Sequence, residues 1–440
     1  MQARREIRTK PEQREEEDAA SAVAETPLSA RWSPEAEIGM RVEDIWDSLD
    51  QPQLSRSDKL NSCFDAIPVS SFPQTFGAQL VDIPSDATLA EAVDILSRNR
   101  INGAPVRNVE APEDASWIDR YIGIVEFAGI AVWLLHRSEA SASAAALGAD
   151  ELAAKLGTVT LDGGSGGGGG GARELKAATE AEGAVAEAFG SLPSSELFRK
   201  TKVKDISGSF RWAPFLALQS SGTFLTMLLL LSKYRMKSLP VVDIGEGTIS
   251  NMVTQAAVVH MLAECVGLSW FEDWGTKTLA ELGLPLMKTS RLVKVCEDEP
   301  ALKAFRQMRR RGVGGIPVVD GAGKPVGSIM IKDVKHLLTA SESAGHYRTL
   351  TAREFIASAR QSSGEKQMSI ITCTREDNMK EIILKLDAEK RQRIYVVDGE
   401  GNLDGLITLR DIIAKLVYEP PGYFGDFFNG VIPMPQNSRV

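Results

Sequence analysis

Four times along the chain, apolar residues spaced three and four apart give way to a short, nearly continuous apolar run, then a turn, then a second apolar run leading into another helical pattern. The first pattern reads LAEAVDILSRNR from Leu89, FLTMLLLLSKYR from Phe224, ALKAFRQMRRR from Ala301 and MKEIILKLDAEK from Met379. The runs that follow are NGAPVR from Asn102, SLPVVD from Ser238, GIPVVD from Gly315 and RIYVVD from Arg393. Spacing near 3.6 predicts amphipathic helices, and Val/Ile runs bounded by Gly, Asp and Asn predict strands. The expected fold class is mixed α/β, a β-α-β-β-α unit repeated four times.

The repeat sets its own ruler. Pro240 and Pro317 are 77 residues apart, Pro317 and the equivalent Tyr395 are 78 apart, but Pro105 and Pro240 are 135 apart. The units are placed at 58–138, 196–267, 278–340 and 350–418. A unit this small with one apolar face cannot bury that face alone, so each must pair with a neighbour. The first is expected to pair with the second and the third with the fourth. The excess length falls in 139–190, where Ala, Gly and Ser dominate, and GGSGGGGGG (Gly163 to Gly171) marks an expected flexible insertion. No Gly-Lys-Ser/Thr follows it, so it is not read as a phosphate loop. Residues 1–36 open with a charged stretch lacking an apolar core and are expected to be a disordered tail rather than a secretory signal. Residues 419–440 form a C-terminal tail carrying Tyr423, Phe424, Phe427 and Phe428, a density that suggests a docking end or a fold-back onto the fourth unit.

Composition narrows the function classes. With 440 residues and 43% hydrophobic content the chain can bury a sizeable core. A net charge of -9 gives no general basic field for nucleic acid or an anionic membrane. The apolar runs Phe224 to Leu231 and Ile122 to Leu135 fall short of the ~20 residues that span a bilayer, and the second contains Glu126, so both are read as core. Cys63, Cys265, Cys296 and Cys373 form no C-x-x-C pair, which predicts reduced thiols in a cytoplasmic or nuclear protein. No metal site is expected.

The Pro-Val-Val-Asp strand and the Gly-x-x-Thr-x-x-Asp phrase leading into the last helix, GLITLRD in the fourth unit, resemble the cystathionine-beta-synthase (CBS) domain. Four such repeats are similar to the gamma regulatory subunits of AMP-activated-type protein kinases. The segments EIGMRVEDIWD (Glu37 to Asp47), APEDASWIDRYIGIVEF (Ala111 to Phe127), SGSFRWAPFLAL (Ser207 to Leu218) and GYFGDFFNGV (Gly422 to Val431) resemble the plant-type, sucrose-non-fermenting-related branch. The resemblance covers about residues 37 to 435. It implies two paired modules in a flat disc, and a non-catalytic subunit of an energy- and sugar-responsive heterotrimeric Ser/Thr kinase. Its partners would be a catalytic alpha and a scaffolding beta subunit, and its ligand AMP, ADP or ATP. A free-standing adenylate-sensing array that binds no kinase is the alternative.

Adenosine recognition needs a carboxylate for the ribose hydroxyls, a hydroxyl or helix N-terminus near phosphate, and facing cations. The resemblance puts these groups on the last strand and helix of each repeat. The fourth repeat has Gly405, expected to let a ligand approach the backbone, with Thr408 and Asp411. The third has Gly327 and Asp333, with Met330 where threonine stands elsewhere. The second has Thr254 but Ala257, and the first has Glu126 and Gly129, so a nucleotide is expected only in the module of repeats 3 and 4. Arg393 and Lys237 are the candidate phosphate partners. Competing readings are structural. Thr408-x-x-Asp411 is also a capping box, Asp333 also a first-turn acid favoured by the helix dipole, and a basic residue beside a strand is often solvated. Lys303, Arg306, Arg309, Arg310 and Arg311 read as the wet face of a helix or a surface for an acidic partner. His260 and Glu264 lack the H-E-x-x-H arrangement and no kinase signature occurs, so no catalysis is expected.

Overall fold

The computed structural model describes residues 33–49, 54–74, 80–137, 196–206, 216–234, 236–287, 289–339, 350–363 and 370–425. The expected N-terminal tail and the Gly-rich insertion lie outside them, apart from the few residues from Ser33 to Ala36.

Helices α1 (Pro34–Ser48) and α2 (Arg56–Asp65) precede the first repeat. Repeat 1 comprises β1 (Ile83–Pro84), α3 (Leu89–Arg98), β2 (Gly103–Arg107), a short α4 (Trp117–Arg120), β3 (Tyr121–Glu126) and α5 (127–137). After the insertion come α6 (Glu196–Lys200) and α7 (Val203–Ile206). Repeat 2 has β4 (Leu218–Gln219), α8 (Phe224–Ser232), β5 (Ser238–Asp243), β6 (Thr248–Thr254) and α9 (Gln255–Glu264), followed by α10 (Ser269–Gly275). Repeat 3 has β7 (Val295–Cys296), α11 (Ala301–Arg311), β8 (Gly315–Val319), β9 (Pro325–Met330) and α12 (Val334–Thr339). Helix α13 (Ala352–Ser363) leads into repeat 4, with β10 (Thr372–Cys373), α14 (Met379–Ala388), β11 (Arg393–Val397), β12 (Leu403–Thr408) and α15 (Leu409–Leu416).

Each repeat makes one three-stranded sheet, its short first strand parallel to the middle strand and its last strand antiparallel. The four registers coincide: Val106 faces Gly123, Val241 faces Asn251, Val318 faces Gly327 and Val396 faces Gly405, each followed by a bulge. Local chemistry sets the helix starts. Thr88, Thr223, Asn378 and Thr408 each accept a backbone N–H three residues on, freeing the helix from orphan donors. Helix α11 lacks such a cap and ends instead on Gly312 in the left-handed region, φ 63°.

The segment ahead of each repeat does not stay with that repeat. Residues 67–70 bond to repeat 2 (Val69 N–H to Gly222 O, 2.6 Å; Phe224 N–H to Ile67 O, 2.9 Å), while residues 201–204 bond to repeat 1 (Leu89 N–H to Thr201 O, 3.0 Å; Val203 N–H to Ala87 O, 2.8 Å). The second pair of repeats does the same. Leu279 N–H reaches Asp377 O of repeat 4 at 3.0 Å, and Ala352 N–H reaches Glu299 O of repeat 3 at 2.8 Å. The sequence reading assigns each leader to the unit that follows it, but backbone bonding hands each leader to the partner repeat, so the paired units are interlocked.

Two kinds of contact then close the four repeats on one another. Between repeats 1 and 2 the sheets meet through Tyr121, Val242 and Ile249, and between repeats 3 and 4 through Val319, Tyr395 and Leu403. The larger cores lie between the helices. One joins repeats 1 and 3 and the other joins repeats 2 and 4. Helix α8 sits inside the second core, which explains why FLTMLLLL is apolar on every side. No helix among the described residues is long and apolar enough to cross a membrane.

The flanks enlarge the repeat 2–4 core. Helix α1 packs on α9, where a Cβ on Gly39 would lie 2.5 Å from Cys265 Sγ, so glycine permits the close crossing. Glu43 accepts the N–H groups of Ser269 and Trp270 at 2.8 and 3.1 Å, capping α10, and Trp270 Nε1 donates to Gly39 O at 3.0 Å. The described start of the C-terminal tail, residues 419–425, folds back onto repeat 2 and α2, where Phe424 joins the core shared by repeats 2 and 4, whereas the fold-back reading expected repeat 4 alone. Phe424 is buried against Tyr234, and the Tyr423 hydroxyl reaches Asp65, Thr226 and Thr223. Phe427 and Phe428 lie outside the described residues.

Candidate functional site

Arg393 opens β11 and crosses from repeat 4 to repeat 3. A Cβ on Gly315 would stand 2.6 Å from both Arg393 Nη1 and Met330 Sδ, so only glycine at the start of β8 lets the guanidinium lie there. Its Nε is buried and has no partner among the described residues. Leaving a buried donor of a cation unmade costs about 1–3 kcal/mol or more, which makes the position a place for an acceptor. Beside it stands Asp333, 6% exposed, which accepts Met330 N–H at 2.7 Å. Burial pushes the Asp333 carboxyl up to about 6, outweighing the Met330 N–H and the nearby Lys332, Lys335 and Arg393, all of which pull it down. The Tyr395 hydroxyl is buried near Arg393 and Ser328, and its pKa is raised chiefly by burial. The site therefore draws a carboxyl, two lysines, a phenol and a guanidinium from two repeats.

In repeat 4, Asp411 Oδ2 accepts the Thr408 N–H and hydroxyl at 2.8 and 2.7 Å, while Asp411 N–H donates to Thr408 Oγ1 at 3.4 Å. The capping box is formed. Asp411 is nonetheless buried, and its Oδ1 lies 3.9 Å from the Arg410 guanidinium, so one carboxylate oxygen stays outside the box.

Three of the sequence candidates have structural partners of their own. Gly405 does not hold open a ligand approach: a Cβ there would lie 2.9 Å from Cβ of Pro285 and closer still to its Cγ. Gly327 likewise accommodates Ile356 Cδ1, which a Cβ would meet at 2.6 Å. Both glycines receive the exchanged leader of the partner repeat. Lys237 Nζ pairs with Glu126 Oε2 at 3.2 Å, so a phosphate reaching it would compete with that carboxylate. Sequence reasoning placed Glu126 at the last-strand terminus, in line with Met330 and Thr408, but did not pair it with Lys237, 111 positions along the chain. Tyr395, Lys332 and Lys335 were missed too, since nothing local marks them.

Among the basic residues of α11, Lys303 pairs with Glu299, while Arg310 and Arg311 are exposed. His260 Nδ1 lies 3.0 Å from Asp387 Oδ2 across the repeat 2–4 contact, a structural setting.

The Asp333 environment predicts a pH dependence of stability. A carboxyl raised from 3.8 to about 6 binds its proton more tightly folded than unfolded, so between those values stability rises as pH falls. At neutral pH the ionised carboxylate is a cost of about 2–3 kcal/mol. Asp333→Asn is expected to keep or raise the urea midpoint at pH 7 and to flatten its rise toward pH 4. A midpoint several tenths molar lower, with the slope retained, would count against this reading.

Comparison with known proteins adds the following. The CBS domain family profile matches residues 285–340 and 367–418. The chain is 54% identical over 418 residues to the SNF1-related protein kinase regulatory subunit gamma-1 of Arabidopsis thaliana, covering 93% of this chain and 95% of that protein. It is 37% identical over 401 residues to the gamma-1-like protein of the same plant, covering 84% and 89%. Among solved structures, one from Methanocaldococcus jannaschii, described as a candidate archaeal homolog of g-AMPK, aligns with TM-score 0.50 at 17% identity, covering 79% of this chain and 99% of that one. That likeness concerns the fold.

Proposed function

The chain belongs to the family of SNF1-related protein kinase regulatory gamma subunits, and from that premise we propose that it assembles with a catalytic alpha and a scaffolding beta subunit into a heterotrimeric Ser/Thr kinase. Its role is regulatory and non-catalytic. The observation that carries this is similarity running through 95% of the plant gamma-1 subunit, flanks included, rather than through one repeat. Such a kinase would work in the cytoplasm or nucleus, in keeping with four cysteines that form no disulfide with one another, of which Cys63 and Cys373 are buried with thiols pushed up to about 11 and about 12. Co-expression with alpha and beta subunits, followed by native mass measurement, tests the assembly. One copy of each chain is the expected composition; recovery of this chain alone would favour the free-standing array.

The ligand reading is an adenine nucleotide in the module of repeats 3 and 4. The buried Arg393 Nε, without a partner among the described residues and next to Asp333, supports it, because a phosphate satisfies the guanidinium while a carboxyl can accept from a ribose hydroxyl. Arg393→Gln is expected to weaken AMP binding by about 1.5–3 kcal/mol, roughly tenfold to a hundredfold. Asp411→Asn keeps the cap geometry and isolates the contribution of its charge. Calorimetric titration of AMP and ATP decides: affinity unchanged in Arg393→Gln would place any binding outside this site, and no wild-type heat at millimolar ligand would leave a scaffold without a sensor.

A further inference from the structure

Both modules send a cation from the even repeat to the end of the odd repeat's last strand, but different residues wait there. In the module of repeats 3 and 4 the receiving residue is Met330, opposite Gly315, and a thioether cannot neutralise Arg393. In the module of repeats 1 and 2 the same register position, opposite Gly103, holds Glu126. A Cβ on Gly103 would lie 2.8 Å from Glu126 Cγ, so the glutamate folds back over the start of β2. Its Oε2 there meets Lys237 Nζ at 3.2 Å, across the repeat boundary and 111 positions along the chain. The glutamate side chain is 27% exposed and the lysine 49%, so the pair is partly open to solvent where repeats 1 and 2 meet.

We infer that Glu126 is a specificity-determining residue: an anion built into the chain that engages Lys237 and keeps anionic ligands, the phosphate of a nucleotide included, away from Lys237 where repeats 1 and 2 meet. The inference rests on the ligand chemistry proposed above but concerns the other module. The carboxylate stands where an incoming phosphate would have to stand and cancels the charge that would attract it. In the second module Met330 occupies that position, Asp333 stands one helical turn further on, and Arg393 Nε has no hydrogen-bond partner among the described residues. One residue at equivalent register, Glu126 or Met330, thus separates a cation paired within the chain from one with a donor left for a ligand.

Glu126→Gln tests this with little change of shape, since glutamine keeps the packing over Gly103 and loses only the charge. Calorimetric titration with AMP, and separately with pyrophosphate, is expected to show additional binding per chain relative to wild type, with affinity at the new site about fivefold above any residual binding there, the scale of a partly exposed ion pair. Adding Lys237→Ala to Glu126→Gln should abolish the gain, and thermal melts of both variants confirm that the fold survives. Equal stoichiometry and affinity in wild type and Glu126→Gln would overturn the inference, as would a gain that persists without Lys237. The two readings fail separately. Binding that appears only in Glu126→Gln sinks the proposal for repeats 3 and 4 and supports this one; one equivalent in both proteins does the reverse.

Discussion

Replacing Phe424 by alanine is expected to cost the isolated chain about 3 kcal/mol of stability, before any partner is present. The ring is 6% exposed and belongs to the core shared by repeats 2 and 4. It stacks edge-on with Tyr234 at 5.0 Å and with Tyr423 at 5.3 Å. Removing a buried phenyl group forfeits its transfer free energy and leaves a cavity, together 3–5 kcal/mol in well-packed sites, and proximity to the chain end argues for the lower value. Tyr423 adds a polar tether: its hydroxyl lies 2.8 Å from Asp65 and 3.0 Å from Thr226. Truncation before residue 421 should therefore destabilise repeats 2 and 4 together. Urea unfolding of the isolated protein checks it. Should Phe424→Ala unfold like wild type yet lose the alpha and beta subunits, the tail would be a docking element after all.

Gly405→Ala is expected to be the most damaging of the single-methyl additions to the sheets, at about 3 kcal/mol. The added carbon would collide with the Pro285 ring, which cannot rotate away and is tied to the exchanged leader by the Leu279 N–H to Asp377 O and Ala280 N–H to Arg375 O bonds. Overpacking of a rigid neighbour costs 1–3 kcal/mol, occasionally more. Gly327→Ala makes the internal control. Its obstacle is Cδ1 of Ile356, with the next Ile356 atoms at 3.8 Å, so a side-chain rotation relieves the contact and about 1 kcal/mol is expected. Paired denaturation curves read the difference directly. Equal costs at the two positions would mean that the leaders are not held as firmly as the interlocked bonds require.

Patterning, spacing and capping chemistry determined much of this protein. Helical period over LAEAVDILSR, Val/Ile runs in RIYVV and GIPVV, and the Thr408-x-x-Asp411 box are properties of about ten consecutive residues, and each appears where local physics places it. The survival of carboxylates only in repeats 3 and 4 was equally visible, because aligning four copies of one phrase needs no coordinates. The partners of those residues were not visible. Gly405 looks like a ligand-facing glycine until Pro285 is seen against it, and Lys237 looks like a phosphate contact until Glu126 is found 111 positions away. Tyr423 finds Asp65 across 358 positions, and Arg393 finds its place over Gly315 in another repeat. The reason is physical. An apolar face declares that it must be covered, yet many faces of similar size and shape could cover it, and the choice is made by the collective fit of leaders, sheets and helices packed at once.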